Sequence, residues 1–178
     1  MRVLGIDPGL ATVGLGLVER ERGGAHRAVD WLTITTAAGL PLPDRLREIH
    51  DDLLRFCEDT RPDLAVVEKL FFQTNVKTAI DVAQARGVIL LALAEANVPV
   101  LEPNPMELKL AITGDGRADK RQMQDMLTRT LALAQIPSPD DAADALALAL
   151  FGALRREDFK MQAPKIPSKT SKKTRLVA

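Results

Sequence analysis

Apolar residues come in short runs over the first third of the chain and take up a helical period after about residue 40. Val3-Leu4-Gly5-Ile6 leads directly into Asp7, and Pro8-Gly9 then breaks the ladder, so a buried strand should end on a carboxylate. Val13 to Val18 reads as a second strand in which Gly14 and Gly16 leave one face almost bare, open to another backbone or a ligand. Arg27 to Thr35 reads as a third, and three strands in succession predict an antiparallel meander. The stripe Leu46, Ile49, Leu53, Phe56, Cys57 predicts an amphipathic helix from about Asp44 to Asp59, stopped by Thr60-Arg61-Pro62. Asp63 to Glu68 follows that helix and needs a parallel crossover, so it reads as a buried strand that again ends in an acid. A helix over Val76 to Asn97 is apolar on every side from Val88 to Ala94, as in a helix central to the core or shared with a second subunit. Val98 to Glu102 is a last short strand, with Pro99 marking a sheet edge. Helices over Met106 to Ile112, Asp119 to Leu133 and from Asp140 onward complete the pattern. The expected class is α/β, with a five-stranded mixed sheet and helices on both faces.

Two strands ending in acids change the picture from fold to chemistry. If they lie side by side and parallel, Asp7 and Glu68 emerge at one sheet edge, where ligands gather in α/β folds. They repel each other unless one is protonated or a cation bridges them. The alternatives are local: Asp7 supporting the hairpin through backbone N–H groups, and Glu68 pairing with Lys69 or Lys77. Asp141 and Asp144 fall on one face of the final helix and offer further carboxylates. Ser138 followed by Asp141 also resembles a capping box, and acids in a first turn, Asp140 among them, suit the helix dipole with no further role. Lys109, Arg117, Lys120 and Arg121 cluster around the turn Thr113 to Ala118, where positive charge and free N–H groups at a helix start suit a phosphate. A solvated basic face is the other reading. Phe71 and Phe72 fall in a polar loop, where an exposed ring can stack on a base.

Composition narrows the setting. The chain has 178 residues, enough for one domain with a real core, and no net charge. The charge is uneven: residues 157–178 carry six Lys or Arg against two acids, and the remainder has the opposite excess. A single domain over 1–156 with a flexible basic tail over 157–178 is expected, the tail either touching phosphates or merely aiding solubility. One cysteine excludes a disulfide framework and a Cys-based zinc site, and Cys57 fits core packing. The chain opens on a core strand without a charged and then apolar leader, and the run Gly87 to Ala96 is too short to span a bilayer. A cytoplasmic protein with no membrane partner is expected.

The order of elements is that of a ribonuclease H-like fold, and the sequence resembles the RuvC family of Holliday junction resolvases. The resemblance is carried by Gly5-Ile6-Asp7-Pro8-Gly9, Glu68 with Phe71 close behind, Gln84-Ala85-Arg86-Gly87, and Lys109 through Gly114, Gly116, Ala118, Lys120, Gln122 and Gln124. Asp141-Ala142-Ala143-Asp144-Ala145-Leu146-Ala147 completes it. It spans Met1 to about Arg155, and the motifs in register are far more specific than any one alone. It implies a homodimeric, Mg²⁺-dependent endonuclease, with Mn²⁺ substituting, that nicks two strands of four-way junction DNA symmetrically. By resemblance, Asp7, Glu68, Asp141 and Asp144 are the metal-binding catalytic acids, two ions per subunit. Lys109 and Lys120 lie along the DNA, Phe71 stacks on or wedges junction bases, and the RuvA and RuvB branch-migration proteins are partners. Asp115, an acid between two glycines, weighs against a phosphate at that turn. The chemistry is consistent with the residues: carboxylates are hard ligands for Mg²⁺, and two ions roughly 4 Å apart activate a water and stabilise the departing oxygen. A strand-Asp-x-Gly hairpin also opens actin-like ATPases and sugar kinases, but those need a second phosphate-binding hairpin. A non-catalytic binder of DNA structures needs the basic turn and not the acids.

Overall fold

The computed structural model describes residues 1–69 and 76–155; Phe71 and the basic tail lie outside them. Strands β1 (Arg2–Asp7), β2 (Thr12–Arg20) and β3 (His26–Thr35) form the antiparallel meander. Helix α1 (Leu42–Thr60) crosses to β4 (Leu64–Val67), which pairs parallel with β1. Helix α2 (Val76–Glu95) leads to β5 (Val100–Leu101), and α3 (Pro105–Thr113), α4 (Lys120–Thr130) and α5 (Asp140–Leu154) follow. The sheet order is β3-β2-β1-β4-β5, with β1 central and β5 at an edge. This is the ribonuclease H-like arrangement, with helices on both faces.

Side-chain alternation assigns the two faces. Leu4, Ile6, Leu15, Leu17, Ala65 and Val67 point to one side, where Ile49, Leu53 and Cys57 of α1 and Ile89 and Leu93 of α2 cover them. Val3, Val18, Leu64 and Val66 point to the other, against α5. By the same period of two, Gly5 and Asp7 on β1, and Glu68 just past β4, belong to the α5 side. The glycines let α5 lie directly on the strands. A Cβ on Gly5 would collide with the Ala145 carbonyl oxygen, and one on Gly14 with that of Asp141. The bare face expected at β2 is therefore filled by a helix backbone.

Several boundaries differ from expectation. Helix α1 starts earlier because Pro41 and Pro43 can occupy its unbonded first turn, and it ends where Arg61 adopts a left-handed conformation and donates to the Cys57 carbonyl. Strand β5 is shorter because the Val98 N–H is taken by the Leu93 carbonyl of α2. Helix α4 ends by Thr130, with Ala132 at φ 50°. The capping box from Ser138 to Asp141 does not form: Pro139 is the N-cap of α5 and no side chain bonds there. Capping boxes occur instead at Asn104 with Glu107 and at Asp119 with Gln122.

Candidate active site

Ladder register brings the first two acids together. Ile6 lies opposite Val67 in the parallel pair, so Asp7 and Glu68 are the next residues out on adjacent strands, both on the α5 side. The end of β1 is steadied from behind by Thr36, a buried polar residue whose hydroxyl donates to the Leu10 carbonyl (2.7 Å) and accepts from Arg45 Nε (2.8 Å). Helix α5 supplies the other acids from its first two turns, Asp141 beside β2 through its carbonyl's approach to Gly14, and Asp144 one turn on.

Electrostatics report how close the acids are. The Asp7 carboxyl is pushed up to about 7, first by burial and then by the charges of Asp144, Asp141 and Glu68, with Lys120 opposing. Burial, followed by Asp144, raises Glu68, and Lys109 acts against it. Asp144 is raised by burial, with Lys120 opposing and Asp140 and Asp141 adding to the rise. Asp7 is coupled to the charges of distant acids, and no ion pair of Glu68 with Lys69 occurs among the described residues; the Lys77 side chain lies outside them. Asp7, Glu68, Asp144, Lys109 and Lys120 line one cleft of about 230 Å³, whose inner wall is apolar, with Leu108 and Met123.

The basic residues divide into two groups. Lys109 and Lys120 reach the cleft. The Lys120 ammonium donates to Asp140 (3.0 Å) and lies 3.6 Å from Asp144, and the hydrogen bond to Asp140 is the main cause that raises its pKa. Arg117 and Arg121 are exposed and do not line the cleft. The turn before α4 is not the open anion cradle expected from its glycines. Asp115 Oδ1 accepts from the Arg117 N–H (2.8 Å), the Asp115 N–H bonds to Thr113 Oγ1 (3.1 Å), and Asp119 accepts from the Gln122 N–H (2.8 Å).

The donor set suits a hard divalent cation, because it consists of carboxylate oxygens and the pKa of one carboxyl, on Asp7, is pushed up first by burial and then by the neighbouring acids, which a cation would offset. The acids are neighbours rather than ready-made ligands: among the described residues, no group of three His, Cys, Asp or Glu converges in the manner of a metal site. Arg86 was legible only as part of a motif. Its guanidinium donates to the Glu68 backbone carbonyl (Nε, 3.1 Å) and pairs with Glu102, from a side chain that is only 16% exposed. An arginine two residues before the helix turns apolar on every side was the available signal.

Comparison with known proteins supplies the family. The family model described as Crossover junction endodeoxyribonuclease RuvC matches residues 3–151. The chain is 57% identical over 150 residues to the protein of that name from Chloroflexus aggregans, covering 84% of this chain and 91% of that one. It is 52% identical to the Brevibacillus brevis protein over 84% and 90% of the two chains. Thermus thermophilus RuvC superposes with a TM-score of 0.83 at 36% identity, over 89% of this chain and 96% of that one. The same protein solved in complex with a Holliday junction substrate gives 0.84 at 35%, with the same coverage. The yeast mitochondrial Holliday junction resolvase, at 14% identity and a TM-score of 0.65 over 89% of this chain and 80% of that one, shares the fold. No helix among the described residues is long and apolar enough to cross a membrane. With its acids gathered where β1 and β4 end, the chain is a nuclease of DNA recombination and repair and belongs to the RuvC family of crossover junction endodeoxyribonucleases.

Proposed function

We propose that the chain resolves Holliday junctions by paired, symmetric nicks, each made by metal-assisted hydrolysis of a phosphodiester. The observation that carries this reading is the cleft where Asp7, Glu68 and Asp144 face Lys109 and Lys120, acids for a cation beside cations for a phosphate. Asp7, Glu68, Asp141 and Asp144 would hold the metal through carboxylate oxygens. Mg²⁺, two ions per subunit and replaceable by Mn²⁺, would supply Lewis acidity at the phosphate and ease deprotonation of the attacking water. Lys109 and Lys120 orient the scissile phosphate at the cleft mouth, and the exposed Arg117 and Arg121 meet backbone phosphates farther along the DNA. Attack by water with the 3′ oxygen departing leaves a 5′-phosphate and a 3′-hydroxyl, ends that a ligase can rejoin.

Symmetric cutting needs two clefts, and α2 offers the surface for a homodimer. Ile80 (55% exposed), Gly87 and Leu91 (53%) recur along its outer side, where apolar groups stay exposed among the described residues. Phe71 would stack on junction bases, RuvA and RuvB would deliver the junction, and the protein would act in the cytoplasm. Asp7→Asn should lower nicking of a synthetic four-way junction in Mg²⁺ by roughly a thousandfold or more, with junction binding retained. Cleavage by that variant at the wild-type rate would overturn the reading. A linear duplex, run beside the junction, tests selectivity.

A further inference from the structure

Glu68 stands just beyond the sheet's pairing. The β1–β4 ladder ends at Ile6 and Val67, and the β4–β5 ladder at Val66 and Leu101, so no strand partner fixes the backbone at Glu68 itself. Two contacts from elsewhere replace the ladder. The Lys69 N–H donates to the Pro103 carbonyl (2.9 Å), and Arg86 Nε donates to the Glu68 carbonyl (3.1 Å). The second comes from α2, and the Nη2 of the same guanidinium pairs with Glu102, just past β5. One planar group thus ties together a helix, the end of β4 and the segment after β5. Its side chain is 16% exposed, so the contact is sheltered from the solvent that weakens surface pairs.

We propose that Arg86 is a positioning residue for the acid centre: its Nε–H, by holding the Glu68 carbonyl, sets where the Glu68 carboxylate stands relative to Asp7 and Asp144. Glu102 orients the guanidinium for that task. Arg86 does not line the cleft, so its part is assigned through Glu68. The inference rests on the reading of this corner as the metal-binding centre. It extends that reading by assigning part of the site's geometry to α2, the helix whose outer side carries Ile80 and Leu91.

The test is Mn²⁺ binding to the full chain, followed by calorimetry without DNA, beside kcat and KM for junction cleavage. Outer contacts that orient a ligand change metal affinity by roughly ten- to a hundredfold, so Arg86→Ala should lose Mn²⁺ affinity by roughly tenfold and kcat in proportion, with KM nearly unchanged. Arg86→Lys keeps a charge for Glu102 but has no N–H at the Nε position, and it should lose the same affinity with a smaller fall in Tm. That variant keeps the proposal testable if Arg86→Ala fails to fold. Glu102→Gln should lower Tm while retaining most of the Mn²⁺ affinity. In a Glu68→Gln background, Arg86→Lys should change affinity no further. Wild-type affinity in Arg86→Lys would overturn the proposal. Asp7→Asn is the reference: if it loses Mn²⁺ and Arg86→Lys does not, only the positioning role falls. If Asp7→Asn also binds normally, the metal centre itself falls.

Discussion

The two faces of the sheet are built on opposite principles. On the α1 and α2 side, Leu4, Ile6, Leu15 and Leu17 meet Ile49, Leu53, Ile89 and Leu93, and bulky side chains hold the helices away from the strands. On the α5 side, Gly5 and Gly14 remove that spacer, and the alanine-rich α5 brings its backbone onto the sheet. The first face supplies cohesion through apolar area removed from water. The second keeps an apolar core of its own, with Leu64, Val66 and Phe151, but gives up side-chain bulk at Gly5 and Gly14 for proximity, and so places the acids of α5 by the ends of β1 and β4. The arrangement separates stability from chemistry by layer.

Breaking the close face should have the largest effect. Gly5→Val forces a branched side chain into the Ala145 carbonyl and the backbone of Ala149, and it should cost at least about 4 kcal/mol in urea unfolding, with cleavage lost as well. Leu53→Ala, a cavity in the spacer face, should cost about 3 kcal/mol yet leave kcat for junction cleavage within about twofold of wild type below its Tm. Equal loss of kcat in that variant would erase the distinction between the layers.

Protons sharpen it further. Because folded Asp7 titrates near 7 rather than near 3.8, the metal-free folded chain keeps a proton that the unfolded chain releases. Stability from this source is full below about pH 4 and is lost as pH rises towards 7, on the order of 2 kcal/mol. Glu68 and Asp144 shift in the same direction. In EDTA, Asp7→Asn should therefore melt above wild type at pH 8, and Mg²⁺ should raise the wild type alone. The smallest effect belongs to the other layer. His50 of α1 bonds Asp51 and reaches Glu95 of α2 (2.9 Å each), and these contacts raise its pKa. Their contribution is present below the unfolded value and fades as pH rises through the folded one. His50→Gln should cost about 0.5 kcal/mol at pH 6, nothing at pH 9, and be indifferent to Mg²⁺.

Much of this was legible because it is written in local pattern. Strands ending in Asp7 and Glu68 show themselves by apolar runs that stop on an acid, and the bare face of Gly14 and Gly16 announces close approach. The alternative of a capping box at α5 is not realised: Ser138 and Asp141 have the right spacing, but Pro139 takes the N-cap. The boxes at Asn104 with Glu107 and Asp119 with Gln122 were equally visible and were overlooked. The turn's N–H groups are taken by Asp115 and Thr113, whose side chains compete with any phosphate. Arg86 and the pairing of Lys120 with Asp140 join residues far apart in the chain, and no spacing rule reports such contacts.

Helix α5 is the last of the described elements to leave the ribosome, yet it carries Asp141 and Asp144. A nascent chain can form the meander and expose Asp7 and Glu68 long before those partners exist. If the four acids hold the metal as proposed, half-made protein is unarmed, and the site is complete only once the segment that also closes the fold has been made.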